Sequence, residues 1–149
     1  MKKTLLTIII ALSIVSCKEE KYNDDSELCE LLSEMFDDDQ RIRKMDLLIN
    51  GTSAQKDSLW KIQSQIDKRN TELLIDITEK RGWVNKKELG CNKAIAPVVI
   101  FRHSSKDYFE KIKKLIETES KAGRMKSGDY WFIDNHLKGR PDFDFQVVE

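Results

Sequence analysis

Apolar residues recur at steps of three and four from Lys56 to Trp83, through Leu59, Ile62, Ile66, Leu73 and Ile77. That spacing draws one face of a long helix. Asn70 falls on the same face, where a leucine would be expected, so a polar side chain is aimed at the core. Gly82 stops the helix and Trp83 supplies an apolar clasp behind it. Upstream, Leu28, Leu31, Leu32, Met35, Phe36, Ile42 and Met45 predict a helix from about Ser26 to Met45, with Ser26 as cap and acids in the first turn. Asn50-Gly51-Thr52-Ser53 turns the chain between the two. From Cys91 to Phe101 the residues are almost all apolar, which fits a buried helix with Pro97 in its first turn or a buried strand. The helix suits the surroundings better, and His103 ends the run. A fourth helix is predicted over about Ser105–Lys121, with Tyr108, Phe109, Ile112, Leu115 and Ile116 on one face. A last one follows Ser127-Gly128-Asp129, carries Tyr130, Trp131, Ile133 and Leu137, and ends at Gly139-Arg140-Pro141. Phe143, Phe145 and Val147 then alternate like a short extended segment. The pattern predicts one all-α domain of about five helices.

The first residues read differently. Lys2 and Lys3 precede an apolar run of about eleven residues, Leu5 to Val15, too short to cross a bilayer comfortably. Ile14-Val15-Ser16-Cys17 resembles the lipobox of bacterial lipoproteins. The resemblance implies cleavage before Cys17, acylation of its thiol and new amino group, with palmitate among the acyl chains, and stable anchoring by several chains. An ordinary secretory peptide with a free Cys17 is the alternative; a membrane-spanning anchor is disfavoured by Lys18-Glu19-Glu20-Lys21. Lys18-Glu19-Glu20 also resembles the signal that sends some lipoproteins to the cell surface, which points to the outer membrane and leaves its face open. The expected organisation is a signal peptide over 1–16, a lipidated Cys17 with a flexible tether over 17–26, and a helical domain over 27–149.

Length and composition agree with one globular domain: 149 residues, 35% charged and 40% hydrophobic. Removing residues 1–16 takes away two of 26 basic residues and none of 26 acidic ones, leaving a net charge of about −2. No basic excess draws the chain to nucleic acid. Cys29 and Cys91 can oxidise in an exported protein, or each can serve as a small buried residue; spacing leaves both open. Trp60, Trp83 and Trp131 are expected in the core or as clasps.

Candidate chemistry gathers beside the apolar stripes. Asp39 projects between Leu32, Met35 and Ile42, and Arg43, four residues on, can reach back to it. Asp67 and Asn70 share a flank of the central helix. If the two helices form a hairpin, these groups meet, with His103 and Asp134 as further candidates. One reading is a pocket in which a carboxylate and an imidazole do acid–base work. The other is a structural network: Asp39 paired with Arg43, Asn70 bonded to backbone in a loop, His103 capping a helix end. No H-E-x-x-H, paired C-x-x-C or calcium loop is present, so no metal is expected, Asp39, Asp67 and His103 being the one conceivable set. Neither a nucleophile elbow nor a glycine-rich phosphate loop occurs, and no cofactor is expected.

Taken together, Asp39-Gln40-x-x-Arg43, Asp67-x-x-Asn70, Leu73-Leu74, Gly82-Trp83, Gly90 and Ala94 leading to His103, Ile133-Asp134 and Gly139-Arg140-Pro141 resemble a bacterial family known as domain of unknown function 6624, over roughly residues 27–145. The chain departs from that pattern at Val84, where the family has proline, at Arg102, where it has glutamine, and in its Asp-Phe-Asp-Phe-Gln tail. The resemblance implies no activity. The expectation is a lipid-anchored binding or structural module, meeting the membrane through its anchor and a protein or small ligand through its helical surface. The alternative is a hydrolase-like enzyme using Asp39, Asp67 and His103, which requires those side chains to converge in an open cleft.

Overall fold

The computed structural model describes residues 21–43 and 45–140. Cys17 and the Phe143–Val147 alternation lie outside these residues. Among the described residues the protein is all-α: α1 Asp25–Ile42, α2 Met45–Asn50, α3 Ser53–Arg81, α4 Pro97–Arg102, α5 Phe109–Lys121 and α6 Ser127–Leu137, with a 3₁₀ turn over Lys106–Tyr108 before α5. Five of these match the expected helices. The sixth, α2, arises because Arg43 leaves helical geometry at ψ 59°, ending α1 before Met45. The Cys91–Phe101 run resolves as irregular chain leading into a short helix that begins at Pro97, whose missing N–H costs nothing in the first turn.

The helix ends follow local rules. Asp24, rather than Ser26, caps α1, its carboxylate accepting from the Ser26 and Glu27 amides at 2.8 and 2.9 Å. Thr52 and Gln55 form a reciprocal capping box at the start of α3. Gly82 closes α3 at φ 89°, a region that favours glycine. A Cβ there would also stand 2.8 Å from Arg124 Nε. Behind it, the Trp83 amide donates to the buried carboxylate of Glu119 (2.8 Å), which Arg124 holds from the other side through Nε and Nη2 (2.6 and 2.7 Å). The expected clasp is thus a tryptophan pinned by an α5 carboxylate.

Leu28, Leu32 and Met35 of α1, Leu74 and Ile77 of α3, Ile100 and Phe101 of α4, Ile112 and Ile116 of α5 and Ile133 of α6 form the buried centre. Cys29 and Cys91 are joined as a disulfide with their Cα atoms 5.7 Å apart, tying α1 to the chain before α4. The tether expected to end at Ser26 is already packed at its end: Tyr22 donates to Asp76 of α3 at 2.6 Å, and Lys21 pairs with the same carboxylate at 2.9 Å.

Two expectations about α3 and the tryptophans need correction. The deeply buried face runs through Gln63, Asn70, Thr71, Leu74, Ile77 and Thr78, whereas Ile62 is 43% exposed. Trp60 is 55% exposed and Trp131 43%, so only Trp83 of the three lies in the core. α3 is 29 residues long, and the neighbour at its beginning is the six-residue α2, too small to cover every apolar side chain there.

Candidate acid–base site

The last turn of α1 brings Asp39 beneath α3 and α4. Its side chain is 1% exposed, and four donors compensate the carboxylate. Gln40 Nε2 reaches Oδ2 at 2.7 Å. Arg43 approaches through Nε at 3.2 Å to each oxygen and through Nη2 at 2.9 Å to Oδ1. His103 Nδ1 lies 2.7 Å from Oδ1. Burial raises the Asp39 pKa, but the hydrogen bonds and charges of His103 and Arg43 outweigh it and hold the group at about 2. Asp39 is therefore ionised and can only accept. His103 Nδ1 must donate, and in the neutral imidazole the lone pair then sits on Nε2.

Arg43 also bridges to α3: its Nη2 lies 2.9 Å from Asp67 Oδ1, which accepts from Gln63 Nε2 at 2.8 Å as well. Burial pushes the Asp67 carboxyl up, against the opposing pull of Gln63, Arg43 and His103. The cluster thus holds one carboxylate driven down and another driven up, with Arg43 bridging them and the His103 imidazole bonded to the first.

His103 and Asp67 line a cavity of about 310 Å³ together with Ser64, Lys68, Ser105 and Tyr108. Tyr108 donates to Glu72 at 2.6 Å, and that carboxylate pushes its phenol up to about 12. A larger hollow of about 690 Å³ runs along Lys21–Asp24 and the start of α1, away from these groups.

Asp39, Arg43, Asp67 and His103 therefore converge, as the sequence suggested. Asn70 is adjacent but serves elsewhere. It is 1% exposed, donates from Nδ2 to the Met35 carbonyl at 2.9 Å and bolts α3 to α1. The bonded carbonyl belongs to a helix and not, as expected, to a loop. Asp134 is outside the cluster, its carboxylate taken by Lys138 at 2.6 Å within α6 and its end. Gln63 was missed by sequence reasoning, although it stands four residues before Asp67, where a helix places a neighbour.

The metal-capable set is Asp39, Asp67 and His103, with one ligand atom from each within 4.8 Å of the others. Arg43 already lies between the two carboxylates as their cation, and the Asp39–His103 hydrogen bond spends the imidazole nitrogen that faces them. A metal ion would have to displace both, so the donors fit the guanidinium better than an ion.

Fold and site together define a small α-helical protein with a buried Asp39–Arg43–His103 cluster beside an open cavity. No family model matches the chain, and no curated protein or solved structure matches it. Among the described residues, no helix is long and apolar enough to cross a membrane.

Proposed function

We propose that this is a lipid-anchored cell-envelope protein, held through an acylated Cys17 in the outer membrane, and that its helical body binds a small polar ligand at His103. The Met1–Cys17 pattern supports the anchor. The Cys29–Cys91 bond suits an oxidising compartment outside the cytoplasm. The likeness to domain of unknown function 6624 is part of the same proposal and adds no activity to it.

The observation that carries the ligand site is an asymmetry. Asp39 is sealed and fully compensated, whereas His103 and Asp67, which it and Arg43 orient from behind, line a cavity. A structural role accounts for the sealed members, and the open side of His103 and Asp67 is left for a ligand. Ligand-observed NMR on the full-length protein in detergent micelles, against a panel of amino acids, sugars and nucleotides, tests the reading. Binding that disappears in His103→Ala supports it; binding unaffected by His103→Ala removes His103 from the site. The anchor is tested separately: Cys17→Ser releases the protein from the membrane fraction, and unchanged fractionation overturns lipidation.

The Asp39–His103 bond favours a second reading, a hydrolase-like enzyme. A buried carboxylate that fixes the imidazole tautomer and stabilises the imidazolium prepares Nε2 to take a proton from a hydroxyl or water in the cavity. Turnover of any ester or amide in a substrate panel, lost in His103→Gln, would select it over simple binding.

A further inference from the structure

His103 is the C-cap of α4, a helix of only six residues. The last carbonyls of a helix have no partner within it and must find one elsewhere. Here the two carbonyls that flank His103 are both taken from the α6 side. Arg140 Nη2 donates to the Arg102 carbonyl at 3.0 Å, and His136 Nε2 lies 3.1 Å from the Ser104 carbonyl. The two side chains are joined to each other, Arg140 Nε reaching His136 Nδ1 at 3.3 Å. The arrangement requires a neutral His136, with a proton on Nε2 for Ser104 and a lone pair on Nδ1 for Arg140. Burial lowers the His136 pKa and outweighs the Ser104 carbonyl, which raises it; the neighbouring Arg140, Arg102 and His103 add to the lowering, so neutrality is the favoured state. The ring is also packed edge-on against Phe109, 5.0 Å between centroids, which restrains it from α5.

We propose that His136 and Arg140 are positioning residues for His103: by gripping the peptide carbonyls on both sides of it, they set the backbone that delivers its Nδ1 to Asp39. This rests on His103 being the working group of the pocket. A hydrogen bond of 2.7 Å to a sealed carboxylate tolerates little movement. Asp39 comes from α1 and cannot follow His103, because Arg43, Gln40 and the α1–α3 packing hold it. The burden of alignment therefore falls on the His103 side, and the clamp supplies it. The charged groups facing His103 include Asp39 and Arg43 at the end of α1, Asp67 and Lys68 of α3 and Asp107 before α5, and none of them is bonded to its flanking carbonyls.

The chain has two histidines, so the imidazole nitrogens of the full-length protein in micelles can be read by long-range proton–nitrogen NMR, with His136→Gln assigning the pair. In its neutral form, wild-type His103 is expected to favour the Nδ1-protonated tautomer by roughly tenfold or more, as a charge-assisted bond imposes. In Arg140→Ala this preference is expected to fall to about threefold or less, and Arg140→Lys, which offers a single ammonium in place of the planar fork, to restore part of it. A His103 spectrum unchanged in folded Arg140→Ala and His136→Gln, even with a lowered melting midpoint, overturns the proposal. If Arg140→Ala fails to fold, His136→Gln decides alone: a shifted His103 tautomer supports the clamp and an unshifted one ends it. Since no ligand enters the measurement, failure here leaves the ligand site standing, and failure of the ligand site is read separately, in the binding panel.

Discussion

Replacing Asp39 with asparagine preserves shape and removes charge at the one group on which Gln40, Arg43 and His103 converge. The carboxylate receives four donor groups through two oxygens. Asparagine offers one oxygen and presents its own amide hydrogens to the donors that remain. The folded-state pKa of about 2, against the ordinary 3.8, corresponds to about 2 kcal/mol of stability when Asp39 is ionised. Leaving Arg43 with a neutral partner adds to this, since breaking a buried pair from one side costs about 3–5 kcal/mol. Arg43 keeps Asp67, so the expected loss lies between, at about 2–4 kcal/mol near neutral pH. The pH dependence has a fixed sign. A depressed carboxylate contributes fully above its unfolded value and loses that contribution as pH falls through the folded one, here from about 4 to about 2. Urea denaturation followed by helical circular dichroism measures both variants across that range. The difference between wild type and Asp39→Asn should be largest near neutrality and shrink towards pH 2. A loss below about 0.5 kcal/mol at neutral pH, or a larger one that persists undiminished in acid, would refute the account of Asp39 as an ionised hub.

Asn70→Ala should cost about 1–3 kcal/mol in the same assay, because the Met35 carbonyl loses its cross-helix donor in a dry interface; an unchanged urea midpoint would show that the bolt carries no weight. Gly82→Ala should destabilise by more than about 1 kcal/mol, through the positive φ and the approach of the new methyl to Arg124 Nε, and a melting midpoint equal to wild type would contradict it. Reducing the Cys29–Cys91 bond frees a chain separation of 62 residues, for which loop-closure entropy gives about 4 kcal/mol. Dithiothreitol should therefore lower the thermal midpoint, and a scan that does not move would remove the bond from the account of stability.

What was legible in the sequence follows from the range over which a pattern acts. Asp39 with Arg43, and Asp67 with Asn70, lie three or four residues apart on helices, so their mutual reach was fixed before any tertiary contact. The fold class was equally readable, because the stripes of α1, α3 and α5 have a helical period. Asn70 was correctly placed on a buried face, but its partner was not visible: whether a polar residue looks into a pocket or onto a neighbouring backbone depends on where α1 lies. The stripe of α3 misled at its beginning for a related reason. Period alone shows a face, and Ile62 follows the period without a partner large enough to cover it. The meeting of His103 with Asp39 depends on the irregular chain from Val84 to Ala96, which has no period to read. Asp134 looked as promising as His103 on the same grounds, and the orientation of α6 gives it to Lys138 instead. The same orientation puts His136 and Arg140 behind α4, a relation written only in backbone carbonyls, which sequence patterns do not record.

The docking of Tyr22 and Lys21 on Asp76 changes the mechanics of the proposed anchor. A leash from Cys17 to Leu28, the first core residue of α1, would span eleven residues, roughly 38 Å fully stretched. With Lys21 paired to Asp76, the chain from Cys17 to the body is four residues, at most about 14 Å. An acylated protein on so short a leash cannot swing out to sample the surrounding volume. If Cys17 is acylated as proposed, the body is held close to the lipid headgroups, with the Asp76 flank turned towards the bilayer.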